Sequence, residues 1–423
     1  MTPRHTAETA ARLRKEETPL RKTELAISNV LRGGVLLSIA VILAGIVCFY
    51  VMKSSGGAHF SYPDTLSALW RGLAQGRPLA IVMLGLVILL ATPVIRVAVS
   101  IAAFAVEGDR TYVGITGIVL LLLLFSIFGV GQWLGHPGSV AVHDDSLRFF
   151  LIVLSGSLFA GLTGALVGLG GGVFIVPLLT LGFHVPFMLA VGASIVSVIA
   201  TSSGAAAAYV RDRMTNLRIG MFLEIATAAG AIVGAALTAY LDVQVLFVVF
   251  GAVLLVSVLP LVTRMGEEFP AHVENHKWAE RLRLPSVYPD RRAGADIPYK
   301  VAHIGAGFSM MCVAGLLSGL LGIGSGVFKV LAMDTFMRLP MKVSTTTSNF
   351  MIGVTAAASA GIFFQRGDID PMIAAPVALG VLAGATLGAK LLTRLSNKHI
   401  RMVFAPVIVL VALNMLARGL GWL

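Results

Sequence analysis

Two glycine clusters interrupt long apolar stretches of this chain. The first is Gly168-Leu169-Gly170-Gly171-Gly172-Val173-Phe174, and the second is Gly322-Ile323-Gly324-Ser325-Gly326-Val327-Phe328. Glycine admits positive φ and lets a ligand or another backbone approach closely. A membrane-buried helix should break at such a cluster. Where it restarts, it presents free N–H groups and the positive end of its dipole, which together suit an anion. Gly170, Gly171, Gly172, Gly324, Ser325 and Gly326 are therefore candidate substrate ligands, with close helix packing through small residues as the alternative. The register between the clusters is constant. Gly322 lies 154 residues after Gly168, Pro340 154 after Pro186, and Ser348 154 after Ser194. Gly384 and Gly388 keep the same distance from Gly230 and Gly234. A duplicated broken helix points to a transporter's substrate site.

Hydroxyl groups follow each cluster. Ser194, Ser197, Thr201, Ser202 and Ser203 lie after the first, and Ser344, Thr345, Thr346, Thr347, Ser348 and Asn349 after the second. Neutral donors can bind an oxyanion without the cost of a buried counter-charge. The repeat superposes Ser194 and Ser348, and Thr347 and Asn349 flank the latter, so all four join the candidates. Interhelical hydrogen bonds and helix capping are the competing use. Lys329 stands where the first copy has Ile175. A cation there could pair with an anionic substrate, or with Asp334 or Glu224. Glu224, six residues after Arg218, reads as a group near the interface rather than a proton carrier. Arg96 reads as snorkelling.

No catalytic or metal constellation appears, and the chain is not expected to be an enzyme or to carry a cofactor. The nine histidines are scattered without metal spacing, and no phosphate-binding G-x-x-x-x-G-K-[ST] motif occurs. His143-Asp144-Asp145 reads as an exposed acidic loop. Cys48 and Cys312 lie in apolar runs and form no disulfide framework.

The elements that must position these residues are membrane helices. Hydrophobic residues make up 57% of the 423, and charged residues 13%, far from soluble averages. Several apolar runs reach the roughly 20 residues needed to cross a bilayer. The net charge of +11 is concentrated in the N-terminal tail, the 264–300 segment and helix ends. That is the pattern of cytoplasmic loops, not of a nucleic-acid-binding stripe. The reading divides the chain into a cytoplasmic basic tail (1–25), a three-span N-terminal unit (26–136), a first repeat (148–263), a cytoplasmic connector (264–300) and a second repeat (301–423). Pro93 and Arg96 are expected to interrupt the second run of the N-terminal unit, and the connector to be a surface loop with at most a short helix.

Orientation follows from Lys and Arg. Arg211, Arg213 and Arg218 make the loop after the second run basic in copy one, whereas its counterpart in copy two carries Asp368 and Asp370. The loop between Arg394 and Arg401 is basic in copy two, whereas its counterpart around Asp242 is not. The copies thus have opposite charge bias, which makes them inverted. Inversion needs an odd number of crossings per copy. A glycine-broken re-entrant hairpin followed by three spans supplies it, with the hairpins facing the interior. The expected fold is an all-α integral membrane protein with its N-terminus in the cytoplasm and its C-terminus outside.

The residues Gly168 to Pro177 with Ala190 to Ser194, and again Gly322 to Phe328 with Thr345 to Ser348, resemble the signature of the TauE/SafE sulfite exporter family. The resemblance covers about 149–420. It implies a bacterial inner-membrane carrier for small, mostly sulfur-containing anions, with Gly168, Gly170 to Gly172, Pro177, Ser194, Gly322, Gly324, Gly326 and Ser348 as motif residues. Ser325, Lys329 and Leu331 depart from that pattern. The N-terminal unit resembles a small three-span domain of unknown role that is sometimes joined to this family. The expected partners are a small anion and the lipid bilayer, with no nucleic acid; a homo-oligomer is compatible with the sequence. A cation or proton permease or channel, and a non-transporting membrane partner, are the alternative functions.

Overall fold

The computed structural model describes residues 20–54, 66–130, 147–167, 171–211, 214–263, 273, 275–290, 295–392 and 397–422. Three long helices come first. They are α1 (Leu20–Ser54), α3 (Pro78–Val106) and α4 (Arg110–Phe125), with the short α2 (Leu66–Ala74) between the first two. Pro78 opens α3 at a position where its missing N–H costs nothing. Pro93 lies inside α3, yet the helix runs through it. The expected interruption is absent, because neighbouring helices can support a proline in a membrane span. Asp109 caps α4 by accepting from Tyr112 N at 3.4 Å, and α4 ends in a π turn at Ser126–Val130.

The first repeat comprises α5 (Leu147–Val167), α6 (Gly172–Pro177), α7 (Phe187–Arg211), α8 (Leu217–Leu237) and α9 (Val243–Thr263). The connector follows, and then α11 (Ile304–Leu321), α12 (Gly326–Leu331), α13 (Met341–Gln365), α14 (Pro371–Leu392) and α15 (Asn397–Gly419). The sequence period of 154 is also a structural period. Helices α6 to α9 each begin 154 residues before their counterparts α12 to α15. Each short helix continues as a π turn, Leu178–Gly182 and Ala332–Phe336. A left-handed residue follows each turn, His184 at φ 56° and Arg338 at φ 53°.

Packing obeys the same exchange. Helix α5 packs on α14 as α11 packs on α8, and α7 packs on α14 as α13 packs on α8. Helices α7 and α13 pack on each other, as do α9 and α15. Glycines bring the backbones together at matched places. A Cβ on Gly161 would stand 2.7 Å from Val381 Cα, and one on Gly315 would stand 2.7 Å from Thr227 Cα. Helix association in lipid relies on such close approach, since apolar burial alone gives little preference there.

The N-terminal helices are built into this body. Helix α1 packs on α3 and α7, α3 also on α7, α13 and α14, and α4 on α8. The connector holds more structure than expected. It forms α10 (Lys277–Arg281) and an antiparallel pair, β1 (Ser286–Asp290) with β2 (Ala295–Tyr299), in which Ser286 faces Tyr299. The all-α reading holds apart from this hairpin. Tyr112 Oη donates to Leu282 O at 2.8 Å and Asn216 Nδ2 to Leu284 O at 2.9 Å, so the connector docks where α4 and α8 begin. Nine helices among the described residues are long and apolar enough to cross a membrane. Leucine, valine and phenylalanine side chains of α1, α4, α5 and α15 remain uncovered, as lipid-facing residues of a multi-pass membrane protein should.

Candidate functional site

The second glycine break is fully described. Gly322 and Gly324 take φ of 66° and 70°, and Ser325 is left-handed at 48°. Glycine adopts such angles without penalty, whereas Ser325 does so at some cost. The run then doubles back. Ala302 N, before α11, donates to Met337 O, after the π turn, at 3.0 Å. The broken run therefore closes as a hairpin and returns to the side it left. In the first copy, Gly168 and Gly170 lie outside the described residues, while Gly171 and Gly172 are helical at the start of α6.

The two breaks meet. Ser194 Oγ on α7 lies 3.2 Å from Gly172 O of its own copy and 2.8 Å from Gly322 O of the other, and it has one proton to give to either. A Cβ on Gly172 would stand 3.2 Å from Gly322 O. On the other copy, Ser348 Oγ donates to Gly326 O at 3.2 Å, matching Ser194 to Gly172. The serines thus hold carbonyls of the breaks. Gly324 packs on Val198 of α7 and Ile352 of α13. Ser325 Oγ is buried and has no partner among the described residues.

Beside this junction lies a buried polar cluster. Lys329 Nζ donates to Thr355 Oγ1 at 2.5 Å, and Thr355 Oγ1 donates to Glu224 Oε1 at 2.7 Å. All three side chains are buried. Glu224 Oε2 has no partner among the described residues. Burying even one ion costs several kcal/mol, so the charges of this cluster do not by themselves stabilise the fold. It has no counterpart in the first copy, where Ile175, Thr201 and Ala378 occupy the 154-shifted positions.

Several expected residues therefore move. Glu224 lies in the cluster and not at the interface. Arg96 does not snorkel: it is fully buried, with its guanidinium carbon 4.3 Å from the centre of the Phe350 ring. Thr347 Oγ1 accepts from Asn216 N at 3.1 Å and serves the turn before α8. Asn349 Nδ2 donates to Thr345 O at 3.2 Å within its own helix. Among the described residues, neither hydrogen-bonds to the cluster. Thr355 was missed, although it lies 154 residues after Thr201 and its hydroxyl bridges Lys329 and Glu224. Among the described residues, no group of histidine, cysteine and carboxylate side chains could hold a metal.

Nine helices of spanning length among the described residues make this a multi-pass membrane protein. Within that class, the chain belongs to the sulfite exporter TauE/SafE family, which matches residues 152–415. Residues 27–128 match a separate family described as a protein of unknown function, DUF1634. Relatives include the "Probable membrane transporter protein YunE" of Bacillus subtilis, 27% identical over 65% of this chain and 99% of its own. A second, YdhB of the same organism, is 25% identical over 57% and 89%. The "Probable membrane transporter protein MJ0441" of Methanocaldococcus jannaschii is 23% identical over 63% and 94%. No solved structure matches the chain.

Proposed function

We propose that the chain is a secondary carrier of a small oxyanion, sulfite or an organosulfonate, working outward across a bacterial inner membrane. Its site is the junction where Ser194 joins the two breaks, with Lys329 as the cation facing the substrate. The observation that carries this reading is the contact between Gly172 and Gly322 beside a buried lysine. A pocket formed by two broken helices at the middle of a repeat pair is where such transporters bind substrate. The opposite charge bias of matching loops makes the repeats inverted about an axis in the membrane plane. Rocking one repeat against the other would then open the junction alternately to each side. In this reading Glu224, joined to Lys329 through Thr355, exchanges a proton with transport.

The test is flux of radiolabelled sulfite and sulfoacetate in proteoliposomes holding the purified full chain. Flux well above empty liposomes is expected. Lys329→Met should cut it by about tenfold or more while leaving folded yield largely intact. Absence of flux with either anion would remove the reading. The buried carboxylate of Glu224 also favours one alternative, a cation or proton permease. That alternative predicts current that persists when gluconate replaces all small anions; the carrier predicts that it disappears.

A further inference from the structure

Arg96 belongs to α3, outside the span matched by the transporter family and inside the region of unknown function. Its side chain nevertheless ends between the central helices of the two repeats. The guanidinium lies over Phe350 of α13 at 4.3 Å. A Cβ on Gly353 of α13 would stand 3.4 Å from Arg96 Nη2 and would collide with Ser202 Oγ of α7. These positions adjoin the junction: Ile352 precedes Gly353, Val198 lies one helical turn before Ser202, and both pack on Gly324. Arg96 is also within electrostatic range of Glu224 and Lys329.

Its partners are incomplete. Nε, Nη1 and Nη2 are all buried, and none has a hydrogen-bond partner among the described residues. Its five N–H donors thus meet no acceptor among the described residues, in a fully buried position. The aromatic face of Phe350 offsets part of the charge but accepts no in-plane hydrogen bond. With both basic groups protonated, Arg96 and Lys329 bring two positive charges against the one carboxylate of Glu224. One negative ion carrying several acceptor oxygens would correct both deficits. A planar guanidinium matches two oxygens of such an ion side by side, which a lysine cannot do.

We propose that the N-terminal unit completes the transport site: Arg96 is the guanidinium ligand of the carried oxyanion, acting with Lys329 across the junction. The inference rests on the carrier reading and adds a substrate chemistry to it, an anion that presents two coplanar oxygens. It also gives the region of unknown function a direct part in recognition.

The experiment measures initial flux of radiolabelled sulfite and sulfoacetate by the full chain in proteoliposomes, for wild type, Arg96→Lys and Arg96→Met. Arg96→Met should raise KM at least about tenfold, with a much smaller change in maximal rate per folded protein. Arg96→Lys keeps a cation but loses the paired donors, and should raise KM severalfold. A purely structural arginine would instead lower folded yield and leave KM unchanged. If Arg96→Met does not fold, Arg96→Lys decides: wild-type KM for both anions overturns the inference. A wild type that moves neither anion removes the carrier reading, and this inference with it. Wild-type flux with unchanged KM in folded Arg96 variants removes the inference alone.

Discussion

Ser194 is the residue on which the junction turns. Its hydroxyl is buried between two carbonyls from different copies, Gly172 O and Gly322 O. Ser194→Ala should destabilise the fold by about 1 kcal/mol, the net worth of one such bond, which a thermal melt in detergent can read. Flux should fall further than that loss explains, since the breaks would no longer be held at one spacing. Ser194, Gly172 and Gly322, which meet in the structure, could be picked out in the sequence through the repeat, and Lys329 through its residue type. Arg96 and Glu224 could not. Six residues beyond Arg218 is about 9 Å along a helix axis, which places Glu224 near an interface if nothing covers it. What covers it comes from other elements, Thr355 of α13 and Lys329 of α12. For Arg96, a single arginine in an apolar run reveals neither which way it points nor what packs against it.

At the scale of elements, the matched glycine contacts yield a paired prediction. Gly161→Ala and Gly315→Ala should each cost about 1–3 kcal/mol of overpacking, because each Cβ would meet backbone rather than a movable side-chain end. Similar losses of melting temperature in the two variants are expected; a loss in only one would break the structural equivalence. The turn between α13 and α14 carries a pH dependence. Arg366 Nε lies 3.1 Å from Asp368 Oδ2. Burial raises the Asp368 carboxyl to about 6, and the Arg366 charge pulls it back only in part. The folded chain therefore binds this proton more tightly than the unfolded chain does. Its contribution favours the fold at low pH and is lost as pH rises through about 6. Melting temperature measured from pH 5 to pH 7 should show a downward step that Asp368→Asn abolishes. The repeat elements could be read from sequence because an ungapped period fixes both copies at once. The β1–β2 pair could not, since Pro289 reads as a breaker. A two-stranded pair tolerates proline where an N–H is not needed.

For the whole molecule, the central expectation is two inverted repeats with an N-terminal unit packed against them. Orientation can be tested directly. In a background with Cys48 and Cys312 replaced, Tyr240→Cys, in the exposed turn between α8 and α9, should react with a membrane-impermeant maleimide added outside. Trp278→Cys, exposed on the connector, should react only after permeabilisation. The reverse pattern would invert the topology and move the basic loops outside. The sequence made the multi-pass architecture legible through run length and apolar content, and the repeat through its period. It did not reveal how far the N-terminal helices enter the core, because that depends on contacts between α3 and both α7 and α13 that no local pattern encodes. The claim that matters most is that an oxyanion sits where the two breaks meet. Selenite has the shape and charge of sulfite and scatters anomalously. Diffraction from crystals of the full chain in selenite should show an anomalous peak beside Lys329 Nζ at the Ser194 junction; selenite found only at surface lysines, with the junction empty, would contradict the account.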